Sequence, residues 1–325
     1  MRTFQTLSTL NALQAASDER RFHLLRLLMR APATLTQLAQ EVGQSPAWVR
    51  HHIQILQQAG LVYLAEVRKR GRTTEKYYRA CANGLLLQNW VLPLTHQPVV
   101  LFAGSHDLAL ELLANQVESR LLLLLMPTGS LNGLVGLRQG FCHLAGAHLH
   151  ETNGQFNLET LRHLFPDRAM HVVTLAHRVQ GLILPPGNPR GIRDLGDLAR
   201  PGVRWVGRNP GSGTHLWLQR RLRELGFRPE VPSWVASTHT EAAARVARGQ
   251  ADVAIGLQAA AAHFGLDFIP LFEERYDLVF EREHQERLLP LLDVLNAGAF
   301  RNAVAALPGY RTTCSGDIYD LETEP

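Results

Sequence analysis

The sequence predicts two parts: a small basic domain of helices with a β-hairpin, followed by a larger α/β body made of two lobes. Helical periodicity and a hairpin pattern fill residues 17–79, whereas short apolar runs alternate with amphipathic helical patterns beyond residue 98. The charge divides at the same place. Residues 1–90 carry 12 Lys and Arg against 5 Asp and Glu, a net of +7, while the remainder carries 21 against 24, a net of −3. The N-terminal part is therefore the one suited to a polyanion.

The size and composition fit a multidomain globular protein. The chain has 325 residues, of which 46% are hydrophobic and 19% are charged. We expect an N-terminal domain over residues 1–82, a linker over residues 83–97 and the body over residues 98–325.

Several classes of protein are not expected from the sequence. Cys81, Cys142 and Cys314 are scattered without a CxxC pair, which argues against a disulfide framework or a thiolate zinc site. The longest apolar run, Leu121 to Met126, is too short to span a bilayer, and no signal-peptide pattern opens the chain. We expect a cytoplasmic protein without a membrane partner.

Three helical patterns follow one another in the N-terminal domain. Asp18 lies at the start of the first, where negative charge meets the positive end of the helix dipole. Thr34 and Gln37 have the spacing of a capping box and open the second. Ser45 caps the third, and Pro46 occupies its first position, where the missing N–H costs nothing.

The third helical pattern has a buried face and a polar face. Val49, Ile53 and Leu56 recur at helical spacing and are expected in the core. The side chains left outward near its N-terminal half, where a recognition helix meets base edges, are Ala47, Trp48, Arg50, His51 and Gln54.

A basic hairpin follows the three helices. Leu61–Val67 is predicted as a strand and Lys76–Arg79 as the returning strand. The cations predicted on the turn between them are Arg68, Lys69, Arg70 and Arg72. Such a tip is a solubilising surface in most proteins, but after a helix-turn-helix pattern we interpret it as a wing against the phosphate backbone.

SPAWVRHHIQILQQAGLV with the basic hairpin resembles the winged-helix domain of ArsR and MarR-like bacterial repressors. The resemblance implies binding to double-stranded DNA, adds Ser45 to the base-reading positions and assigns the four hairpin cations to the wing. It also implies that His52 packs partly inside. Metal-sensing members carry cysteines on the second helix, and LTQLAQEVG has none, so metal sensing by that route is not expected.

The body shows a regular alternation of strand and helix patterns, which predicts parallel α/β sheets in two successive lobes. The predicted strands are Val99–Ala103, Arg120–Met126, Cys142–Ala145, His171–Leu175, Gly181–Leu184, Val203–Val206, Ala251–Ile255 and Phe268–Leu271. The predicted helices include His106–Asn115, Leu158–Leu164, Thr214–Leu225 and Thr240–Ala247.

Three loops of the body share one design. Phe102–Asp107, Pro127–Leu131 and Asn209–Thr214 each follow a strand pattern, contain Gly and Ser, and open a helix. Glycine lets the backbone approach a ligand closely, and free N–H groups at helix N-termini attract oxyanions. The same chemistry is common in ordinary caps, so the signal lies in its threefold repetition.

The body resembles the periplasmic-binding-protein-like domain, of the type II kind found in LysR effector domains and in molybdate-linked regulators. The segments that carry this resemblance are GSHDLALELL, TGSLNGLVGLRQGFCHLAGAHL, VTLAHRVQGLILPPGNPRGI, NPGSGTHLWLQRRLRELG, GQADVAIGLQAAA and EERYDLVF. The resemblance implies that a ligand sits between two lobes joined by two crossing segments, and it points to molybdate or tungstate.

The resemblance also implies a set of ligand-binding residues. These are Gly104, Ser105, Ser130, Ser212, Gly213 and Thr214 in the cleft, Tyr276 as a closing contact, and Arg178 and Arg208 as added charge. An ordinary surface role is the commoner one for such arginines. Asp107 and Asp277 oppose an anionic ligand unless they turn away or hold an arginine.

Other chemistry is less well supported. His143, His148 and His150 lie close together, but a zinc site needs further ligands, and we interpret them as scattered surface or cleft histidines. Ser212 lies in GSG, which is not a nucleophile elbow, and neither a phosphate-binding loop nor a dinucleotide fingerprint is present. We expect no enzyme and no cofactor beyond a bound oxyanion.

The sequence therefore predicts a one-component transcriptional regulator, a homodimer that binds DNA and senses a small oxyanion such as molybdate or tungstate. The apolar helical pattern of Met1–Leu13 is a candidate dimer contact, although packing on its own domain is equally compatible. The alternatives are a molybdenum-cofactor-related binding protein or a solute receptor without a regulatory role on DNA.

Overall fold

The computed structural model describes residues 2–71, 73–87, 90–151, 154–227 and 231–322. The chain forms two compact units, Met1–Leu92 and Pro93–Pro325. We call them the head and the body. No helix among the described residues is both long and apolar enough to cross a bilayer.

The head is a three-helix core with a preceding short helix and two small sheets. Its elements are β1 (Arg2–Leu7), α1 (Leu10–Ser17), α2 (Glu19–Arg30), α3 (Leu35–Val42), α4 (Pro46–Gln58), β2 (Val62–Arg70), β3 (Thr73–Ala80) and β4 (Ala82–Leu87). Strands β2 and β3 form an antiparallel hairpin, and β1 pairs with β4 in parallel. This is the helix-turn-helix followed by a wing that the sequence predicts.

The helix starts follow the predicted capping chemistry. The Asp18 carboxylate accepts from the backbone N–H of Arg20 at 3.0 Å at the start of α2. The Thr34 hydroxyl accepts from Gln37 N, and the Gln37 side chain accepts from Thr34 N, so the capping box at α3 is confirmed. At α4 the Ser45 hydroxyl accepts from Trp48 N at 3.2 Å.

The first residues of the head differ from the prediction. The expected helical pattern over Met1–Leu13 is wrong, because Arg2–Leu7 is a strand and helix α1 begins only at Leu10. Strand β4 provides the partner for β1, which local periodicity cannot anticipate. Strand β4 also takes up the first residues of the expected linker over residues 83–97, so these belong to the head.

The body is built on one curved sheet with helices on both faces. Its helices are α5 (Leu108–Val117), α6 (Ser130–Arg138), α7 (Leu158–Leu164), α8 (Gly213–Glu224), α9 (His239–Ala247), α10 (Gln258–His263), α11 (Gln285–Asn296) and α12 (Gly298–Ala305). Its strands are β5 (Val99–Gly104), β6 (Leu122–Pro127), β7 (Leu144–Ala147), β8 (Met170–Leu184), β9 (Trp205–Arg208), β10 (Trp234–Ala236), β11 (Val253–Leu257), β12 (Asp267–Glu281), β13 (Tyr310–Arg311) and β14 (Ile318–Leu321).

Two long antiparallel strands, β8 and β12, run through the middle of this sheet. The strand order is β10-β9-β11-β8-β12-β7-β5-β6, with β13 and β14 also paired to β8. The segments predicted as separate strands at His171–Leu175 and Gly181–Leu184 are one strand of 15 residues. The sheet is mixed rather than parallel, because both long strands run against their neighbours β7 and β11.

The long strands divide the body into two lobes. The first lobe holds β5, β6 and β7, and the second holds β9, β10 and β11. Helices α11 and α12, from the C-terminal end of the chain, pack on α5 in the first lobe. The lobes are therefore not successive in sequence: the chain leaves the first lobe through β8 and returns through β12.

Candidate ligand cleft and DNA-binding surface

The three Gly-Ser loops of the body come together where the two lobes meet. Ser105 follows β5, Ser130 begins α6, and Ser212 caps α8 of the second lobe. The backbone N–H of Leu131 donates to the carbonyl of Gly211 at 3.0 Å. The N-termini of α6 and α8 therefore approach each other across the cleft, which is closed in this structure.

A chain of hydrogen bonds connects the first two loops to a histidine. The Ser105 and Ser130 hydroxyl oxygens are 3.0 Å apart, and His148 Nε2 is 2.9 Å from Ser105 Oγ. The backbone N–H of His148 donates to Ser130 Oγ at 3.2 Å. All three side chains are buried, so each of these polar atoms depends on its neighbours for hydrogen bonds.

Glu274 on β12 is the acidic centre of the cluster. Its carboxylate lies 2.7 Å from His148 Nδ1 and accepts from Arg178 Nε at 2.8 Å and from the Gln180 side-chain amide. Burial alone would raise the pKa of Glu274, but His148 and Arg178 outweigh it and hold that pKa well below its ordinary value. Glu274 is therefore an anion inside the protein.

Arg178 is a fully buried ion-pair partner rather than a surface arginine. Its guanidinium donates to Asp107 at 2.5 Å as well as to Glu274. Burial opposes the charge on Arg178, yet the two carboxylates outweigh it and raise its pKa. Tyr310 donates to the same Asp107 oxygen at 2.6 Å. The surface role that arginines more commonly have is therefore wrong for Arg178.

Asp107 and Asp277, the two aspartates expected to oppose an anionic ligand, are both hydrogen-bonded to other protein groups. Asp107 holds Arg178 and also caps α5 by accepting from Leu110 N at 3.0 Å. Asp277 accepts from Thr174 at 3.0 Å, from Asn157 at 2.8 Å and from Arg275 at 3.0 Å. Burial raises the pKa of Asp277. Their partners remove the electrostatic objection that the sequence raised.

Tyr276 is buried behind the first Gly-Ser loop and contacts its backbone. Its hydroxyl donates to the backbone carbonyl of Ser105 at 2.5 Å, and its ring lies 4.5 Å from the guanidinium carbon of Arg178. The side chain has no exposed surface. Tyr276 therefore holds the first loop in place, rather than forming the closing contact that the resemblance implied.

The second lobe contributes through the loop before α8. Ser212 Oγ accepts from His215 N, and the Thr214 hydroxyl donates to Gln180 Oε1 at 2.9 Å. A Cβ on Gly213 would lie 2.5 Å from the His148 ring. Here glycine allows the lobes to approach. Gly104 serves the sheet instead, since its Cβ would lie 2.4 Å from the Gly146 carbonyl oxygen.

Arg208 is a second buried guanidinium, on the second lobe. It donates to the carbonyls of Ala236 and Ser237 at 3.2 and 3.0 Å and lies 2.6 Å from His239 Nδ1. Among the residues the structure describes, no carboxylate lies within ion-pair distance of it. Burial, and then Arg178, lower the pKa of Arg208 to about 9. A surface role is again wrong, and Arg208 is a buried cation beside the cleft.

The sequence does not identify four residues of this cluster as a site. It gives no pattern that marks Glu274, Gln180 or His239, and it favours only a scattered surface or cleft position for His148. Gln180 and Glu274 lie in the middle of the two crossing strands. The signal that the sequence offers for Gln180 is its place, with Arg178, between the two apolar runs of β8.

The sequence predicts no metal site, and it favours a surface or cleft position for His143, His148 and His150 over zinc ligation. Among the described residues, no group of three or more His, Cys, Asp or Glu is placed to hold a metal ion. His143 instead accepts from the backbone N–H of Leu101 at 3.0 Å and lies 2.9 Å from Arg287 Nη1. Burial and Arg287 lower the pKa of His143 to about 4.

The predicted recognition helix presents most of its candidate residues to solvent. Ser45, Ala47, Arg50, His51 and Gln54 are exposed. Trp48 is only half-buried, and its ring lies 4.1 Å from the ring of buried His52. The histidine therefore packs inside, as the resemblance implied.

The wing differs in detail from the prediction. Arg68 and Lys69 lie within β2 rather than on the turn. Arg68 donates to both carboxylate oxygens of Glu66, at 2.8 and 2.7 Å, so much of its charge is compensated. Lys69 is exposed. Arg72 and the side chain of Arg70 lie outside what the structure describes.

Comparisons with protein families agree with the division of the chain into a head and a body. Residues 111–296 match the family described as PBP superfamily domain. Residues 18–63 match the family described as bacterial regulatory protein, arsR family.

Two sequence relatives and one solved structure illustrate the similarity. The uncharacterized protein YvgK of Bacillus subtilis (strain 168) is 32% identical over 233 residues, covering 70% of this chain and 75% of the relative. An uncharacterized protein from the 5′ region of a 2Fe-2S ferredoxin gene of Clostridium pasteurianum is 35% identical over 109 residues, covering 32% of this chain and 96% of the relative. The tungstate ABC transporter structure from Geobacter sulfurreducens gives a TM-score of 0.46 at 12% identity, covering 64% of this chain and 97% of that chain.

Proposed function

Because this chain belongs to the PBP superfamily and carries an ArsR-family DNA-binding domain in front of its ligand-binding domain, we propose that it is a one-component transcriptional regulator whose effector is a small oxyanion. The head binds double-stranded DNA as part of a homodimer, in the cytoplasm. The body binds the oxyanion between its lobes, with molybdate and tungstate as the first candidates.

One observation carries the choice of effector. Buried hydroxyl groups come from both lobes where the N-termini of α6 and α8 meet: Ser105 and Ser130 of the first lobe contact His148, and Thr214 of the second lobe contacts Gln180. Hydroxyl donors and helix N-termini are the groups that proteins use to hold oxyanions without a compensating metal. Buried Arg208, which has no carboxylate partner among the described residues, adds positive charge on the second lobe.

The crossing strands give a route for the effector to act. Strands β8 and β12 belong to both lobes, so bending them opens or closes the cleft. An anion held by hydroxyls from both lobes stabilises the closed form over the open one. To move DNA occupancy from mostly bound to mostly free, it must prefer one state by about 5 kcal/mol. A few charge-assisted hydrogen bonds supply energy of that order.

Thermal unfolding of the full chain tests the effector. We expect molybdate or tungstate to raise Tm in a concentration-dependent way, with sulfate and phosphate as comparisons. Ser130→Ala removes a cleft hydroxyl and should abolish most of the shift. Ser119→Ala is the matched control, since Ser119 is exposed and outside the cleft. If none of the four anions shifts Tm, the effector is not an inorganic oxyanion of this class.

A DNA-binding assay tests the regulatory part. Fluorescence anisotropy with fragments from the upstream region of its own gene should show binding that changes when the active anion is added. Anion binding without any affinity for DNA would instead support a molybdenum-cofactor-related binding protein or a solute receptor.

The serine, histidine and glutamate of the cleft have the order of a hydrolase triad, since Ser105, His148 and Glu274 are linked at 2.9 and 2.7 Å. We propose a binding role for them. Glu274 is shared with Arg178 and Gln180, and Ser105 is buried. Reaction with an active-site-directed fluorophosphonate, lost in Ser105→Ala, would contradict this proposal.

A further inference from the structure

We propose that the cleft binds its oxyanion together with one proton, which His148 accepts. This inference rests on the proposed oxyanion function. An anion that already carries a proton brings it along, whereas a fully deprotonated anion such as molybdate, tungstate or sulfate draws one from solvent.

The hydrogen bonds assign the tautomer of His148. Glu274 is ionised and can only accept, so Nδ1 of His148 carries the hydrogen that occupies the 2.7 Å contact. In the neutral ring Nε2 is then an acceptor. It accepts the hydroxyl hydrogen of Ser105 across 2.9 Å.

With His148 neutral, this arrangement presents hydrogen-bond acceptors to an anion that needs donors. With its hydrogen committed to His148, the Ser105 oxygen keeps only lone pairs, and it takes up the hydrogen of Ser130 across 3.0 Å. A deprotonated oxyanion has acceptors only, so it finds few donors here. A proton on His148 Nε2 forms a new N–H bond that donates to Ser105, and the two hydroxyl hydrogens then turn towards the anion.

The charge balance of the buried groups leads to the same conclusion. Around the cleft, Asp107 and Glu274 carry two negative charges, and Arg178 and Arg208 carry two positive charges, while Asp277 is paired with Arg275 and adds no net charge. With His148 neutral these groups sum to zero, so an incoming dianion is not compensated. Protonation of His148 adds one positive charge beside the hydroxyls that would hold the anion.

Of the groups that face one another around His148, His148 itself is the one that takes up the proton. The groups that face it are Glu274 and Tyr276 on β12, Arg178 on β8, His150 after β7 and His239 at the start of α9. Tyr276 stacks on the His148 ring with centroids 5.9 Å apart. Burial, and then the charge of Arg208 that His239 faces, keep the pKa of His239 well below its ordinary value.

The sign of the pH dependence follows from these contacts. Burial lowers the pKa of His148 in the free protein, despite the opposing effect of Glu274. Bound anion raises that pKa. Affinity for a deprotonated anion is therefore highest at low pH and falls about tenfold per pH unit between the two pKa values.

Calorimetric titration of the full chain at about pH 8 tests the inference. Molybdate, tungstate or sulfate is added in buffers of different ionisation enthalpy, which gives the number of protons taken up. We expect about one proton per deprotonated anion and none for phosphate, which carries its own proton at this pH. His148→Gln should bind without proton uptake. His143→Gln is the matched control, because His143 also has a lowered pKa but is only partly buried and lies outside the cleft, and it should retain the full uptake.

A direct spectroscopic measurement covers the case in which His148→Gln does not fold. In the wild-type chain with ¹⁵N-labelled histidine, one imidazole should change from neutral to protonated when tungstate is added. Tungstate binding without proton uptake, or unchanged uptake in folded His148→Gln, would overturn the inference while leaving the oxyanion function standing. If no anion produces heat or a Tm shift, the oxyanion function itself is wrong and the inference falls with it.

Discussion

The imidazole of His148 lies 2.7 Å from the carboxylate of Glu274, although the two residues are 126 positions apart in the chain. His148 follows β7 in the first lobe, and Glu274 lies on one of the two strands that cross between lobes. The same carboxylate also holds Arg178 on the other crossing strand. One buried anion thus joins both crossing strands to the histidine that contacts Ser105 and Ser130.

Removing that anion should be costly. In Glu274→Gln, Arg178 keeps only Asp107 as a charged partner inside the protein, and a buried pair broken on one side typically costs about 3–5 kcal/mol. We expect a loss of this order in the free energy of unfolding, measured by urea denaturation. Glu273→Gln is the control one residue away: Glu273 is more exposed and pairs with exposed Arg311, so its loss should cost less than about 1 kcal/mol. Equal effects of the two substitutions would contradict the central role of Glu274.

The helix starts and Gly-Ser loops could be predicted because their interactions are local. Thr34 and Gln37 cap α3 across three residues of sequence, and the capping pattern is visible in the letters themselves. The loop before α8 likewise shows its Ser212 cap directly. Such features need no knowledge of which distant segments meet.

The polar centre of the cleft could not be predicted for the opposite reason. Gln180 and Glu274 are 94 positions apart and meet only through the pairing of β8 with β12. Arg178 interrupts the apolar pattern of β8, so periodicity divides one long strand into two. The sequence alone predicts an exposed arginine there, because the carboxylates that pair with Arg178 are distant in the chain.

The wing should contribute unevenly to DNA binding. Lys69 is exposed and has no acidic partner among the described residues, whereas Arg68 is held by Glu66 through two hydrogen bonds. Removing a cation that neutralises one phosphate should lower the slope of log affinity against log salt by about 0.9. We therefore expect Lys69→Gln to reduce the slope more than Arg68→Gln does, in anisotropy titrations over a range of salt. Arg220→Gln, an exposed helical arginine paired with Glu224 in the body, is the control that should leave it unchanged.

The body should lose stability in acid partly through His143. Its pKa is lowered to about 4 by burial and by Arg287, so the unfolded chain takes up a proton before the folded one does. The corresponding stability is present above about pH 6.5 and is lost as the pH falls towards 4. In urea denaturation over this range, His143→Gln should flatten the pH dependence relative to wild type. Loss of the same slope in His163→Gln, on the exposed side of α7, would show that the effect does not come from His143.

Closure of the cleft should depend on Gly213 having no side chain. A Cβ at this position would lie 2.5 Å from the His148 ring and 2.7 Å from its backbone oxygen, a separation that real Cβ contacts do not reach. Gly213→Ala should therefore hold the lobes apart and weaken binding of the active anion by at least about tenfold, equivalent to 1.4 kcal/mol. Gly298→Ala, also at the first position of a helix but with open space around its Cβ, should bind normally. Calorimetric titration measures the affinities, and small-angle scattering should show a larger radius of gyration for Gly213→Ala with saturating anion. Wild-type affinity in Gly213→Ala would mean that the anion is bound without the close approach of α8 to His148.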